Sequence, residues 1–125
     1  MKPNPSRRLR LPQRPEADSA VAASVSSNRT ELAGKLQERG SLRYTPAGVP
    51  VIEFRIAHAS EQIEAATPRR VECELVCVAV GSPALLLKET SPGMGLVVGG
   101  FLAARSLKQK TPVLHVTTIE FVEEI

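Results

Sequence analysis

The chain has 125 residues, of which 42% are apolar, 23% charged and only 3% aromatic, a length that holds one domain and leaves no room for a second core. No run approaches the ~18–20 consecutive apolar residues of a membrane span. The net charge of +3 is uneven: residues 1–27 carry Lys2, Arg7, Arg8, Arg10 and Arg14 against Glu16 and Asp18, whereas residues 28–125 carry eleven charges of each sign. The basic balance therefore belongs to the N-terminal segment and alone does not argue for a polyanion-binding domain.

Residues 1–27 hold four of the ten prolines, the rest being mostly Ser, Ala and Arg. They show no apolar periodicity, and such a stretch buries too little surface to offset its ordering entropy. Two expectations stand side by side: a disordered basic tail, or a start assigned upstream of a natural one near Asn28. The apolar stretch Ala20–Val25 is short and broken by Ser24, unlike a secretory signal, and the chain has no internal repeats. The domain is expected over residues 28–125.

From Asn28 onward, alternation with period two dominates. Thr30–Leu36 places Leu32, Gly34 and Leu36 on one face. Thr45-Pro46-Ala47-Gly48-Val49-Pro50 is turn chemistry, since proline fixes φ and glycine permits φ > 0. Val51–Ser60 sets Ile52, Phe54, Ile56 and His58 opposite Glu53, Arg55 and Ala57. A polar loop is expected over Glu61–Pro68. Arg69–Val80 reads as the third strand, with Val71, Cys73, Leu75, Cys77 and Ala79 on one face. A connection over Gly81–Gly95 has room for one helical turn at Ala84–Glu89. Two more strands, Leu96–Leu107 and Val113–Val122, surround a basic turn, and Gly99-Gly100 marks a bend or bulge. Five strands with one longer crossover predict an all-β fold, a small closed antiparallel barrel.

Nothing in this pattern carries catalysis. The two histidines, His58 and His115, sit singly in strands and read as packed or surface residues. Cys73 and Cys77 are separated by roughly 13 Å on a strand, beyond the ~7 Å limit of a disulfide and too far for a shared Zn²⁺. Both thiols are expected to be reduced, inward-facing and unreactive, which fits a reducing cytosol. The glycines at 93, 95, 99 and 100 lack the Lys-Ser or Lys-Thr of a phosphate loop. Neither an enzyme, a metal nor a cofactor is expected.

The remaining constellation is basic. Between Glu89 and Glu120 there is no acid, while Arg105, Lys108 and Lys110 fall in the turn joining the fourth and fifth strands. Arg39 and Arg43 flank the turn after the first strand, and Arg69 and Arg70 open the third. In a five-stranded oligonucleotide-binding (OB) barrel the corresponding loops flank the binding face, where cations follow a phosphate backbone. Aromatic platforms are few, with Tyr44 beside Arg43 the best placed. Val76, Val78 and Val80 add an apolar stripe on the face opposite the core, which predicts a partner and hence a homodimer.

Asn28-Arg29-Thr30-Glu31-Leu32-Ala33-Gly34 resembles the opening of the bacterial primosomal replication protein N (PriB) family, relatives of single-stranded-DNA-binding protein. The turn Thr45–Pro50, the run Phe54–His58, Cys73, Gly100-Phe101, and Leu114-His115 with Ile119-Glu120 match that family in order. The resemblance covers residues 28–125. It implies a cytoplasmic homodimer of OB folds that binds single-stranded DNA and helps the PriA helicase reload the replicative helicase within the primosome. By position it implies DNA contacts at Arg43 and at Arg105, Lys108 and Lys110, with Arg69 and Arg70 near a further basic position. This sequence has Thr67 and Glu72 where well-known members carry aromatic residues, and Ala59 at a basic position, so stacking should contribute little.

Overall fold

The structure, a computed structural model, describes residues 26–123. The expected tail, residues 1–27, lies outside them except for Ser26 and Ser27. The elements are β1 (Thr30–Arg39), β2 (Arg43–Tyr44), β3 (Pro50–Glu64), β4 (Thr67–Val80), α1 (Ser82–Leu87), β5 (Gly95–Ala104) and β6 (Pro112–Val122). The sheet order is β1-β5-β6-β4-β3-β2, and β1 pairs again with β3, so five long strands close into a ring. This is the expected OB-type barrel. It departs from expectation in one seam: β4 and β6 run parallel from Cys77–Leu114 to Ala79–Val116. A ring of five strands cannot alternate direction all the way round, so one seam has to be parallel.

Inward-facing residues follow the alternation of the sequence. Ile52, Phe54 and Ile56 from β3, Cys77 and Ala79 from β4, Leu96 and Val98 from β5, and Leu114 and Val116 from β6 form the core with Leu36. Burial of this kind stabilises by roughly 25 cal/mol per Å² of apolar surface. β1 leaves β5 after Lys35 and takes up β3, pairing Lys35 with Ala57. Gly34 permits the crossing, because a Cβ there would lie 2.5 Å from the Ala57 carbonyl oxygen. α1 covers the barrel with Ala84 and Leu87. It begins two residues earlier than expected, since Pro83 is tolerated in a first helical turn.

The segment Glu61–Pro68 is not a loop. β3 and β4 stay paired through Glu61–Arg70, Gln62–Arg69, Ile63–Pro68 and Glu64–Thr67, and the chain reverses at Ala65 and Ala66 with φ of 53° and 64°. Beyond Ala57 no third strand joins, so residues 58–64 and 67–73 form a two-stranded arm projecting roughly 20 Å. The arm corrects the expectation for the cysteines. Cys77 is buried, and loss of solvent pushes its thiol up to about 12, whereas Cys73 is exposed. It occupies the same face, but on the arm no further layer covers that face.

At the foot of the arm, His58 Nδ1 lies 2.6 Å from the Ala33 carbonyl and Nε2 lies 2.7 Å from Ser60 Oγ. A carbonyl only accepts, so Nδ1 carries the hydrogen.

Candidate nucleic-acid interface

Cross-strand register defines the outer face. Val51 and Val80, Glu53 and Val78, and Arg55 and Val76 are directly opposed on β3 and β4, and Arg43 of β2 is opposed to Val51. β6 continues the face with His115 beside Val78. The stripe Val76–Val78–Val80 therefore lies on the outer side of the second and third barrel strands, the side on which OB folds hold oligonucleotides. Val80 remains 44% exposed.

The cations expected from sequence are divided between the two ends of this face. Arg43 and Tyr44 are exposed at the end where β4 finishes, Tyr44 with 60% of its surface accessible. At the other end, where β6 begins, the loop 105–111 is ordered by its own hydrogen bonds, Arg105 N to Thr111 O and Ser106 N to Gln109 O, each 3.1 Å. Lys108 and Lys110 stand exposed on it. Arg69 and Arg70 are carried on the arm, away from the barrel wall.

Three of the six expected cations have carboxylate partners. Arg105 Nη1 lies 2.9 Å from Glu53 Oε2, Arg69 Nη1 lies 2.9 Å from Glu64 Oε1, and Arg70 Nη2 lies 3.1 Å from Glu72 Oε2. Such exposed pairs are worth only ~0.2–1 kcal/mol, so they give way readily to a phosphate. Along the arm, however, Glu61, Glu64 and Glu72 outnumber Arg69 and Arg70, which removes its pull on a polyanion. Arg43, Lys108 and Lys110 have no ion pair among the described residues.

Residues 28–118 match a family model described as another single-strand binding protein family. The replication restart protein PriB of Bordetella pertussis is 47% identical over 76 residues, spanning 61% of this chain and 71% of that protein. This chain belongs to the PriB family of single-strand-binding proteins. The solved structure of PriB from Ralstonia solanacearum superimposes with a TM-score of 0.68 at 37% identity, covering 75% of this chain and 96% of that one. The single-stranded DNA binding protein from Thermus aquaticus, at 22% identity and a TM-score of 0.63, covers 77% of this chain and 50% of that one, and shares the fold.

Within this family frame, one residue that sequence reasoning passed over becomes prominent. Arg55 lies in a groove of about 270 Å³ lined by Glu38, Arg39, Glu53, Val76 and Arg105. Its nearest carboxylate oxygen, on Glu74, is 3.7 Å away, and its Nε is buried without a hydrogen-bond partner. The available signal was its parity with Glu53 on β3, which placed it on the outer face. No local signal placed Arg105, fifty positions away in the chain, beside it.

Proposed function

We propose that this chain is a non-enzymatic single-stranded-DNA-binding accessory of replication restart, acting in the cytoplasm and assisting the PriA helicase in reloading the replicative helicase. One observation carries the reading: a continuous outer face runs from Arg43 over Val80, Val78 and Val76 to Arg55 and the loop of Arg105, Lys108 and Lys110. Cations at both ends follow phosphates while the apolar stripe receives sugars and bases. Family membership and the relatives named for replication restart support the biological setting.

A homodimer belongs to the same proposal. A second copy seated on Val76, Val78 and Val80 would cover the surface DNA needs, so the stripe is assigned to DNA. The edge of β1 over residues 30–34 that is not paired with β5 is the seat the backbone offers a second copy. Sedimentation of the parent and of Val78→Glu separates these seats: unchanged association in the variant supports the edge, and dissociation supports the stripe.

The deciding experiment is a titration of labelled single-stranded DNA, duplex DNA and RNA at two salt concentrations. Single strands should bind best, with a log–log salt slope of roughly −3 for about four neutralised phosphates at ~0.7 each. Preference for duplex, or no binding at low salt, overturns the reading, and preference for RNA redirects it to an RNA-binding barrel. A second reading, an interaction adaptor with marginal DNA affinity, is favoured by the excess of Glu61, Glu64 and Glu72 over Arg69 and Arg70 on the arm and by the exposed Leu85 and Leu86 of α1.

A further inference from the structure

The single-strand-binding reading above leaves unused an aromatic pair on the adjoining part of the outer face. Phe101 of β5 and His115 of β6 are opposed in register, and their rings stack with centroids 5.2 Å apart and planes inclined by 6°. Stacking leaves Phe101 43% exposed. His115 also lies beside Val78, so the rings continue the row that begins at Glu53 and crosses Val78.

Beside this pair stands a cation with a prepared seat. Arg29 Nη1 lies 3.5 Å from Thr117 Oγ1, and its guanidinium passes over Gly99, where a Cβ would fall 2.6 Å from Nη2. Any side chain at position 99 would displace it. The register shift between Gly99 and Gly100 leaves Thr117 without a cross-strand partner, an arrangement typical of a bulge that re-aims side chains. No carboxylate lies within ion-pair distance of Arg29 among the described residues. Gly99 and Phe101 are two residues apart on β5, about 7 Å, comparable with the separation of a nucleobase from its own phosphate.

We infer that Phe101 and His115 form a stacking step for one base of the bound single strand, with Arg29 holding the neighbouring phosphate. The inference rests on the proposed function and extends the DNA path from the β3–β4 face across β6 and β5 to β1. The base adds a further layer to the stack on the open part of Phe101, and the guanidinium supplies charge at the edge of the rings.

The test compares a labelled oligothymidylate with an abasic oligomer of equal length, using the full chain and the variants Phe101→Leu, Arg29→Gln and Lys108→Ala/Lys110→Ala. Phe101→Leu should weaken oligothymidylate binding by roughly 5- to 100-fold, the range expected for one lost stack, and leave abasic binding and both salt slopes unchanged. Arg29→Gln should weaken both oligomers and flatten the slope by about 0.7. In the parent, the His115 ring protons should shift upfield with oligothymidylate and stay in place with the abasic oligomer, a readout independent of any variant's folding. Equal effects of Phe101→Leu on the two oligomers, or a His115 signal indifferent to the bases, overturn the stacking step. If the Lys108→Ala/Lys110→Ala chain still binds more weakly in that series, the single-strand reading survives without it. A parent that binds neither oligomer removes both.

Discussion

Cys77 and Cys73 stand four residues apart on the same face of β4, yet Cys77 is sealed in the core and Cys73 is open to solvent. Between them the strand passes from the barrel wall to the arm. In the wall, the face of Cys77 and Ala79 meets Leu114 and Val116 across the parallel seam and Leu36 and Leu96 from the far side of the barrel. On the arm, Val71 and Cys73 pair only with Ser60 and His58 of β3. An alternating pattern thus fixes which residues share a face, while burial depends on whether a further layer exists to cover it. Two-stranded ribbons are marginal in water for the same reason.

The strongest way to break the comparison is to remove apolar volume from each region. Ile56→Ala in the wall should cost about 2–5 kcal/mol, whereas Ile63→Ala on the arm, where the side chain is 70% exposed, should stay within about 0.5 kcal/mol. Urea denaturation followed by circular dichroism measures both. If the two losses are equal, the arm is covered by something absent from the monomer.

The arm can instead be strengthened at its turn. Ala65 and Ala66 both have positive φ, a region that costs a non-glycine L-residue roughly 1–2 kcal/mol. Ala65→Asn with Ala66→Gly supplies the residues a two-residue hairpin favours and should add about 1 kcal/mol of hydrogen-exchange protection to amides of the arm, leaving those of β5 and β6 unchanged.

The thiols sharpen the contrast chemically. Cys73 should react with an aromatic disulfide reagent within the mixing time and Cys77 only on unfolding. The raised thiol of Cys77 also sets a pH window. Below its ordinary value of 9.0 the folded and unfolded chains both hold the proton and the contribution is complete. As the pH climbs from there toward about 12, the unfolded chain ionises first, so stability falls. Cys77→Ala should flatten that fall by on the order of 1 kcal/mol per pH unit, measured as midpoint shifts relative to the parent.

The smallest expected difference concerns phosphates. Lys108→Ala with Lys110→Ala should flatten the single-strand salt slope by about 1 to 1.4. Arg69→Ala with Arg70→Ala should change it less, because the three glutamates of the arm outnumber its two arginines, and Tyr44→Ala should lower affinity at nearly constant slope. Equal slopes for the arm and loop variants would place DNA along the arm as well.

Much of the wall was legible in the sequence. Ile52, Phe54 and Ile56 alternate with charged residues, and Gly99-Gly100 marked the irregularity that the register shift confirms. Glu61–Pro68 reads as a loop because a strand with water on both faces has no apolar alternation to display, and Ala65-Ala66 is not the Asn-Gly that announces a hairpin. Arg43, Lys108 and Lys110 are exposed, as their loops implied. The pairing of Arg105 with Glu53, fifty-two positions away, depends on the closed ring, as does the meeting of Arg29 with Gly99 and Thr117. Neither has a local signature. The stripe of Val76, Val78 and Val80 was legible as an apolar face, but which side of the barrel it formed became visible only with β6 in place.

The parallel seam has a consequence for how the chain assembles. Only three residue pairs, Cys77–Leu114 to Ala79–Val116, join β4 to β6, and they join positions thirty-seven residues apart. The β3–β4 and β5–β6 ladders close short loops and form early at little entropic cost, whereas the seam closes a long one for few hydrogen bonds. The seam, like the β1–β5 ladder that joins positions sixty to seventy residues apart, is therefore expected to form after the two hairpins, and with three residue pairs it is the shortest ladder in the ring. A nascent chain released before β6 emerges would hold a finished hairpin of β3 and β4 with the apolar side of Ile52, Phe54 and Ile56 still bare, the state from which aggregation starts.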